Sequence, residues 1–350
     1  MINRIACFGV GGKATRVYWL GTHVMETGFG SDGQWYTADL NQDDPRLAPA
    51  YNSPIACWAV HGQISRVYYI DGDLRLMELG FYPEVNGWEI SSLTQEQNAP
   101  YGASGGGITC FGLNNDVARV YYFDSNDSLI ELADVGANEP WHVNNLSAIT
   151  HAPATGSARV LTCFGVNGVA SRVYYFDQHG NVIELAWADD KRWHAYNISA
   201  AARAPAASFV SPIACFGVSG WATRVYYFDA SGHVIELGWS NNNQWYAGDI
   251  SAACGAPPAF TPSGLTCFGV GRHASRIYYF DNYMNLIELG WGDNRQWYWG
   301  AITIAPKANG PLTCFGVDGQ LTRVYFRAGS PTRLYEVAFI NSGWNASIIS

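Results

Sequence analysis

Short runs of alternating apolar and polar residues follow one another along the chain, and residues 160–199 show the pattern most clearly. Four such runs occupy residues 160–166, 171–177, 182–187 and 193–199. They are rich in β-branched and aromatic residues, and Gly, Asn and Asp, which favour turns, lie between them. The pattern predicts four short antiparallel strands joined by hairpins, with no helix in the unit.

The two-residue period of a strand divides the side chains of this unit between two faces. Val173 and Tyr175 point to one face of the second strand, while Arg172 points to the other. Glu184, on the third strand, is expected about opposite Arg172 on that same face. Because both faces carry apolar residues, one such sheet needs a neighbour on each side to be stable.

The unit is repeated seven times along the chain. Its most regular mark is a Cys followed nine residues later by an Arg, and successive Cys are 47 to 53 residues apart. Each Arg is followed by a Glu, giving Arg16/Glu26, Arg66/Glu78, Arg119/Glu131, Arg172/Glu184, Arg224/Glu236, Arg276/Glu288 and Arg323/Glu336. A Trp then opens the fourth run of every unit, at Trp35, Trp88, Trp141, Trp193, Trp245, Trp297 and Trp344. A period of this length indicates one supersecondary unit copied around an array.

Radial repetition covers both faces of each sheet with neighbouring sheets. The sequence therefore predicts an all-β, seven-bladed β-propeller of four-stranded antiparallel blades, forming a single domain over residues 1–350. The expected blades are residues 1–50, 51–103, 104–156, 157–209, 210–261, 262–309 and 310–350. The stretches 200–206 and 256–263 are predicted to be loops that connect blades.

Composition excludes several classes of protein. A net charge of −9 with no cluster of Lys or Arg argues against nucleic-acid binding, which needs a basic stripe. No run approaches the ~20 apolar residues of a membrane helix, and the first residues lack the regions of a secretion signal. We expect a soluble, cytoplasmic protein without membrane insertion; release by a non-classical route is an alternative.

Seven of the eight Cys hold one repeat position between small or apolar residues. Equivalent sites in different repeats are expected to lie too far apart for disulfides, so these Cys are interpreted as buried thiols. Cys254 lies outside the repeat pattern, in a predicted loop. It is either an inert thiol or the site of an intermolecular disulfide.

The recurring Arg and Glu have two interpretations. The pair is either a structural ion pair that fixes blade stacking, or one half of a sugar site in an open groove between blades. An Arg donates to adjacent hydroxyl oxygens of a diol and a Glu accepts from its O–H groups. An aromatic ring then suits the apolar C–H face of the sugar.

The residue three positions after each Glu is aromatic in six repeats. It is Trp187, Trp239 or Trp291 in repeats four to six and Phe29, Phe81 or Phe339 in repeats one, two and seven. In repeat three it is Asp134, which suggests that the third site is altered or inactive. The Trp that open the fourth run are interpreted as core residues, with sugar stacking by Trp193, Trp245 and Trp297 as the alternative.

These motifs resemble a known group of proteins over the whole chain. Leu-Thr-Cys-Phe-Gly-Val, Ser-Arg-Val-Tyr-Tyr-Phe-Asp and Ile-Glu-Leu-x-Trp are similar to repeats of the Photorhabdus-type seven-bladed propeller lectins. The Arg-Val-Tyr and Glu-x-x-Trp pattern also resembles the six-bladed, Aleuria-type fucose lectins. In the latter family, Arg and Glu of one blade and an aromatic residue of a neighbouring blade hold L-fucose without a metal.

The resemblance implies a set of sugar-binding residues in this chain. They are Arg16, Glu26, Arg66, Glu78, Arg172, Glu184, Trp187, Arg224, Glu236, Trp239, Arg276, Glu288, Trp291, Arg323 and Glu336. Arg119 and Glu131 are set apart because of Asp134. The hairpins of repeats one and seven also depart in length, so distorted sites are expected there.

The repeated polar residues also bear on two other classes of function, an enzyme and a protein–protein scaffold. An enzyme needs a singular catalytic group, whereas the polar residues here recur in every repeat, so no catalytic residue is predicted. A protein–protein scaffold with structural Arg/Glu pairs remains the alternative. The eight His show no ligand spacing, so neither a metal nor another cofactor is expected.

We therefore expect a multivalent lectin whose partners are fucosylated glycans, with galactose and O-methylated sugars as alternatives. Several weak sites on one rigid ring raise avidity by about 10² to 10⁴. The family resemblance implies a homodimer or homotetramer.

Overall fold

Each repeat forms one four-stranded antiparallel sheet whose strands pair in the order of the sequence. The computed structural model describes residues 4–11, 14–30, 32–41, 48–84, 86–114, 117–136, 139–166, 170–218, 222–239, 242–271, 274–317 and 321–350. The prediction of four short strands in each unit is confirmed in all seven sheets.

The strands are numbered in chain order. Blades 1 and 2 contain β1 (Ile5–Val10), β2 (Ala14–Leu20), β3 (Val24–Phe29), β4 (Trp35–Asp39), β5 (Ile55–Val60), β6 (Ile64–Ile70), β7 (Leu76–Tyr82) and β8 (Gly87–Ser92). Blades 3 and 4 contain β9 (Ile108–Leu113), β10 (Val117–Phe123), β11 (Leu129–Ala133), β12 (His142–Asn145), β13 (Leu161–Val166), β14 (Ala170–Phe176), β15 (Val182–Trp187) and β16 (Trp193–Asn197). Blades 5 and 6 contain β17 (Ile213–Val218), β18 (Ala222–Phe228), β19 (Val234–Trp239), β20 (Trp245–Asp249), β21 (Leu265–Val270), β22 (Ala274–Phe280), β23 (Leu286–Trp291) and β24 (Trp297–Ala301). Blade 7 contains β25 (Leu312–Val317), β26 (Leu321–Ala328), β27 (Arg333–Ile340) and β28 (Gly343–Ile348).

The seven sheets form a closed ring. The first strand of each blade contacts the first strands of the two neighbouring blades, and β25 contacts β1. First strands therefore surround the axis and fourth strands lie at the rim. The predicted seven-bladed β-propeller is confirmed, and we call the space between consecutive blades a gap, numbered by its two blades.

Apolar side chains fill the inner part of each gap from both sides. In gap 3/4, Tyr121 and Phe123 of blade 3 pack with Val173, Tyr175 and Leu185 of blade 4 in one buried cluster. Full burial of a side chain of this size contributes roughly 1.5–3 kcal/mol. The two-faced apolar pattern of the sequence is thus explained by blades that pack on both sides.

The Tyr-Tyr pair of the second strand connects a blade to its surroundings. In every gap except 2/3 the first tyrosine lies within hydrogen-bond distance of a Ser or Thr of the next blade, as Tyr174 Oη does at 3.1 Å from Thr223 Oγ1. The second donates to the carbonyl of a linker proline, as Tyr175 does to Pro153 at 2.6 Å. Buried hydroxyls that lack a partner are costly, so these contacts fix the angle between neighbouring blades.

Ring closure rests on side chains, because blade 1 and blade 7 are each built from consecutive strands. Tyr325 Oη of blade 7 lies 2.9 Å from Thr15 Oγ1 of blade 1, and both residues are buried. Ile5, Val17 and Leu334 belong to the same closing cluster. The first and last repeats therefore meet through the same kind of contact that joins the other blades.

In the part of the chain that the structure describes, four short helices follow fourth strands, where the sequence predicted loops without helix. They are α1 (Leu93–Glu96), α2 (Leu146–Thr150), α3 (Ile198–Ala202) and α4 (Ile250–Cys254). In α3 the side chain of Asn197 caps the first turn by accepting from the Ala200 amide at 2.8 Å. Ser199 Oγ then accepts from the Val182 amide at 2.8 Å, which fastens the helix to the third strand.

The repeated cysteines face the central channel. Cys7, Cys57, Cys110, Cys215 and Cys267 line a cavity of about 240 Å³ on the axis. All eight cysteines are free thiols of intermediate exposure. The interpretation of the repeated Cys as buried thiols is therefore corrected: each is only partly buried, and five of the seven line the open axial cavity.

Candidate functional site

Six of the seven repeated arginines are held by carbonyls of their own blade, whereas Arg323 donates from Nη1 to Glu336 Oε1 at 3.0 Å. Arg172 Nη1 donates to the Ser171 carbonyl at 3.1 Å and to the Trp187 carbonyl at 2.9 Å. The equivalent pairs of bonds occur for Arg16, Arg66, Arg119, Arg224 and Arg276. With Nη1 fixed in this way, the Nε edge of the guanidinium is turned towards the glutamate of the third strand.

Arginine and glutamate share a face, but they are diagonal neighbours. Arg172 pairs in register with Ala186, and Glu184 pairs with Tyr174. Glu184 therefore lies two residues along the third strand from the position opposite Arg172, where the sequence predicted it about opposite. The Nε of Arg172 nevertheless lies 3.2 Å from Glu184 Oε1. Five of the predicted pairs lie within ion-pair distance, at 4.0 Å for Arg16/Glu26, 4.0 Å for Arg66/Glu78, 3.2 Å for Arg172/Glu184, 3.8 Å for Arg224/Glu236 and 3.0 Å for Arg323/Glu336.

The other two pairs occupy the same positions at longer range. Both lie in the described part of the chain, where no contact within 4.0 Å joins Arg119 to Glu131 or Arg276 to Glu288. Burial raises the pKa of the Glu131 carboxyl, while its bonds from Asn144 and Tyr121 and the charge of Arg119 act to lower it. The third pair therefore still interacts across its pocket.

The aromatic residue three positions after glutamate lies on the opposite face of the blade. Trp187 pairs in register with Trp193, and their rings meet edge to face with centroids 5.9 Å apart. Trp193 also packs against Tyr121 of the preceding blade, with centroids 6.2 Å apart. This aromatic pair therefore faces the Arg and Glu of blade 3 instead of those of its own blade.

A cavity in gap 3/4 shows the complete arrangement. It has a volume of about 600 Å³, and its walls include Arg119 and Glu131 from blade 3 with Ser171, Trp187 and Trp193 from blade 4. Pockets of this size are typical of small-ligand sites. A guanidinium, a buried carboxylate and two indole rings thus meet in one partly open space.

The position of Asp134 corrects the expectation for the third repeat. Asp134 occupies the place of the first aromatic residue of blade 3, so it faces Arg66 and Glu78 across gap 2/3. Its charge acts on Glu78, one of the effects that raise the pKa of that carboxyl, although burial is the largest. The altered pocket is therefore the second, and the pocket of Arg119 and Glu131 keeps both indoles.

Gap 2/3 differs in a second way. Every other repeat has Ser or Thr before its Arg, but repeat three has Ala118. Tyr68 Oη instead accepts from Trp58 Nε1 at 3.3 Å. Ala118 cannot bond to the hydroxyl of Tyr68, and the indole of Trp58, in blade 2, supplies the hydrogen bond instead.

Sequence reasoning missed the tyrosine that follows the fourth-strand Trp in three blades. These residues are Tyr36, Tyr246 and Tyr298, and each hydroxyl donates to the glutamate of its own blade. The available signal is a glycine two positions after the glutamate, which occurs in these three repeats and also in repeat two, where Glu89 follows Trp88. Its meaning depends on packing between the third and fourth strands.

Cys254 lies at the end of α4, away from these pockets. It is partly buried, and its thiol donates to the Ile250 carbonyl at 3.1 Å. The predicted loop position is therefore a helix terminus. Its pairing with a second chain stays a prediction.

Within the described ranges, no group of three or more His, Cys, Asp or Glu is arranged to hold a metal ion. Within the same ranges no helix is long and apolar enough to cross a bilayer.

Comparison with known proteins agrees with this architecture. Residues 3–257 match the family model of the fungal fucose-specific lectins. No curated protein matches the chain. The BP39L lectin from Burkholderia pseudomallei is 16% identical and superposes with a TM-score of 0.75, covering 99% of this chain and 98% of that chain.

Two further solved structures also share the fold. The lectin of Aleuria aurantia, described as six-bladed with a novel fucose recognition mode, is 20% identical, with a TM-score of 0.58 over 85% of this chain and 94% of that chain. AofleA from Arthrobotrys oligospora is 17% identical, with a TM-score of 0.60 over 87% and 88%. The predicted resemblance to propeller lectins is confirmed.

Proposed function

The chain belongs to the fungal fucose-specific lectin family, and we propose that it binds L-fucose and fucosylated glycans in the gaps between its blades. As a member of this family it is a carbohydrate-binding lectin. The proposal adds the sugar, the pockets and the residues that recognise it.

The observation that carries the proposal is the cavity of gap 3/4. Arg119 supplies N–H donors and Glu131 supplies acceptor oxygens on one wall, and Trp187 and Trp193 supply flat apolar surface on the other. Adjacent hydroxyls of a sugar need donors and acceptors together, and its C–H face suits an aromatic ring. Each site is therefore shared by two blades.

The same rule assigns partners in the other gaps. Trp239 and Trp245 serve Arg172 and Glu184, and Trp291 and Trp297 serve Arg224 and Glu236. The seven arginines lie near the start of their second strands, so the pockets face one side of the ring. Several pockets on one side allow simultaneous contact with a glycan-coated surface, which raises avidity.

A homodimer or homotetramer would multiply this effect. Cys254 is the residue we propose for a covalent link between chains, because it is the thiol at a helix end outside the channel. Binding needs no metal in this proposal, since Arg and Glu make all the polar contacts.

A glycan array tests the proposal with a variant that combines Arg119→Ala, Arg172→Ala and Arg323→Ala. We expect wild type to bind fucosylated glycans and the variant to lose most of that signal. Arg333→Ala is the control, because this exposed arginine lies at the strand two to three hairpin of blade 7, away from the pockets.

Three results would count against the proposal. If wild type binds no glycan, the lectin function is wrong for this chain. If the folded triple variant binds like wild type, the pockets of Arg119, Arg172 and Arg323 do not carry the binding. If a folded variant with all seven repeated arginines replaced by Ala also binds like wild type, the Arg/Glu pairs are structural and the site assignment is wrong.

A further inference from the structure

In three blades one tyrosine contacts both the arginine and the glutamate of the pair. The hydroxyl of Tyr36 donates to Glu26 Oε1 at 2.7 Å, and that of Tyr246 donates to Glu236 Oε1 at 2.8 Å. Tyr298 donates to Glu288 Oε1 at 3.3 Å. In each case the first tyrosine of the second strand also donates to the same carboxylate. Both carboxylate oxygens are therefore engaged by the protein itself.

The rings of these tyrosines also lie against the guanidinium groups. The Cζ atom is 5.5 Å from the ring centroid for Arg16 and Tyr36, 5.6 Å for Arg224 and Tyr246, and 5.4 Å for Arg276 and Tyr298. These are cation–π distances. A sugar hydroxyl that approaches such a pair meets a ring where an open pocket has free space.

A glycine beneath each ring makes this position accessible. A Cβ atom on Gly238 would lie 2.3 Å from Cζ of Tyr246, and one on Gly290 would lie 2.3 Å from Cζ of Tyr298. Gly28 has the same relation to Tyr36, at 2.5 Å. Since an alanine cannot coexist with the ring in this place, glycine and tyrosine form one structural unit.

Blades 3, 4 and 7 carry alanine at this position, and none of them has the tyrosine. Ala133 pairs with His142, Ala186 with His194 and Ala338 with Asn345. The ion pair is 3.2 Å in blade 4 and 3.0 Å in blade 7. In blade 3 no contact within 4.0 Å joins Arg119 to Glu131, and Asn144 donates to Glu131 Oε2 at 3.0 Å, but no ring of the described residues covers the arginine. With tyrosine present the corresponding distances are 4.0 Å in blade 1 and 3.8 Å in blade 5.

In blade 2 a tyrosine also lies against the arginine, but it comes from the third strand instead of the fourth. Tyr82, at the end of the third strand, lies with its ring centroid 4.6 Å from Arg66 Cζ. A Cβ on Gly80 would lie 2.8 Å from its Cε2 atom. A glycine and a tyrosine ring again accompany each other.

We propose that these rings divide the seven pockets into two classes. Pockets with alanine, in blades 3, 4 and 7, bind sugar first. In blades 1, 5 and 6 a tyrosine must leave the Arg/Glu pair before a sugar can use it, and in blade 2 Tyr82 must leave Arg66. The inference rests on the proposed function and adds its specificity determinant. Displacing one hydrogen bond weakens binding by about tenfold.

Exchange of the determinant between two blades tests the inference. The double variant Gly238→Ala with Tyr246→His gives blade 5 the residues of blade 4. Its mirror, Ala186→Gly with His194→Tyr, gives blade 4 the residues of blade 5. Calorimetric titration with α-methyl L-fucoside is expected to show one more high-affinity site than wild type in the first variant and one fewer in the second.

Further variants exclude a folding artefact. Tyr246→Ala keeps the backbone of Gly238 and removes the ring, so it should gain the same site. Adding Arg224→Ala to the first double variant should remove the gained site. Thermal unfolding of every variant shows whether its β-propeller is still folded.

The possible failures are distinguishable. If wild type does not bind α-methyl L-fucoside, the proposed function fails and this inference falls with it. If wild type binds, and the number of high-affinity sites is unchanged in the two exchanges and in Tyr246→Ala, the inference alone is overturned. A gain of a site on introducing His194→Tyr with Ala186→Gly would overturn it as well.

Discussion

Asp134 of blade 3 faces Glu78 of blade 2 and adds a negative charge to the pocket of that glutamate. Burial is the main cause of the raised pKa of Glu78, and the charge of Asp134 adds to it, while Tyr68 and Arg66 act in the opposite direction. In other gaps an aromatic residue occupies the place of Asp134. A substitution in one repeat therefore changes the electrostatics of the preceding repeat.

Replacing Asp134 by Asn should stabilise the protein at neutral and higher pH. When the pKa of a glutamate is higher in the folded protein than in the unfolded chain, the protein loses stability as pH rises from the unfolded-state pKa through the folded-state pKa. Asn removes one cause of that rise, so the loss becomes smaller, by less than about 1 kcal/mol. Urea unfolding at pH 5 and pH 8 measures the difference between wild type and Asp134→Asn.

The control is Glu78→Gln, which removes the titrating group itself. Asp134→Asn should add little stability in that background, because the repulsion is already absent. Equal stabilisation by Asp134→Asn with and without Glu78 would mean that the two residues do not interact.

The sequence predicted the fold well because strand alternation and the repeat period are local properties. Alternation alone also places Trp187 and Glu184 on opposite faces, since three positions separate them. Which blade faces Trp187 depends on packing between repeats, and no local pattern contains that information. The same is true of Tyr246, whose ring position follows from the absence of a Cβ on Gly238 of the neighbouring strand.

The short helices were missed for a different reason. The sequence pattern places Asn197, at the end of β16, in a strand and predicts a loop for the alanines after it. A side-chain cap on the Ala200 amide and an anchor from Ser199 to the third strand favour one helical turn instead. Four- and five-residue helices are too short to give a periodic pattern.

Sugar binding in gap 4/5 should strengthen as pH rises from 6 to 8. Burial raises the pKa of Glu184 to about 7, while Arg172 acts to lower it. If sugar hydroxyls donate to the carboxylate, the competent form increases from about one tenth to about nine tenths over this range, so affinity rises up to about tenfold. Titration with α-methyl L-fucoside in an Arg119→Ala, Arg323→Ala background measures this pocket.

Glu184→Gln in the same background is the matched control. It retains the shape of the side chain but does not titrate, so its residual binding should be equal at pH 6 and pH 8. Tighter wild-type binding at pH 6 than at pH 8 would show that the carboxylate is not the acceptor.

Tyr325→Phe should weaken the closure of the ring. The hydroxyl of Tyr325 donates to Glu336 Oε2 at 2.8 Å and lies 2.9 Å from Thr15 Oγ1. Its removal leaves two buried polar groups short of a partner, which costs about 1–3 kcal/mol. Chemical unfolding should detect this, while Tyr283→Phe, at a tyrosine that is 75% exposed, should change stability by less than about 0.5 kcal/mol. A similar small effect of Tyr325→Phe would contradict a role in closure.

Cys254 should be the thiol that reacts first with an aromatic disulfide reagent. Burial raises the pKa of Cys7 and of Cys215 to about 12, and each also bonds to a threonine of a neighbouring blade. The thiolate is the reactive form, and the axial cavity of about 240 Å³ hinders entry of a bulky reagent. Partial burial also raises the pKa of Cys254, but α4 leaves this thiol accessible from outside the channel.

Cys254→Ser should therefore abolish the fast phase of the reaction. The same variant should remove any disulfide-linked dimer from a non-reducing gel. A fast phase that persists in Cys254→Ser would place the reactive thiols in the channel.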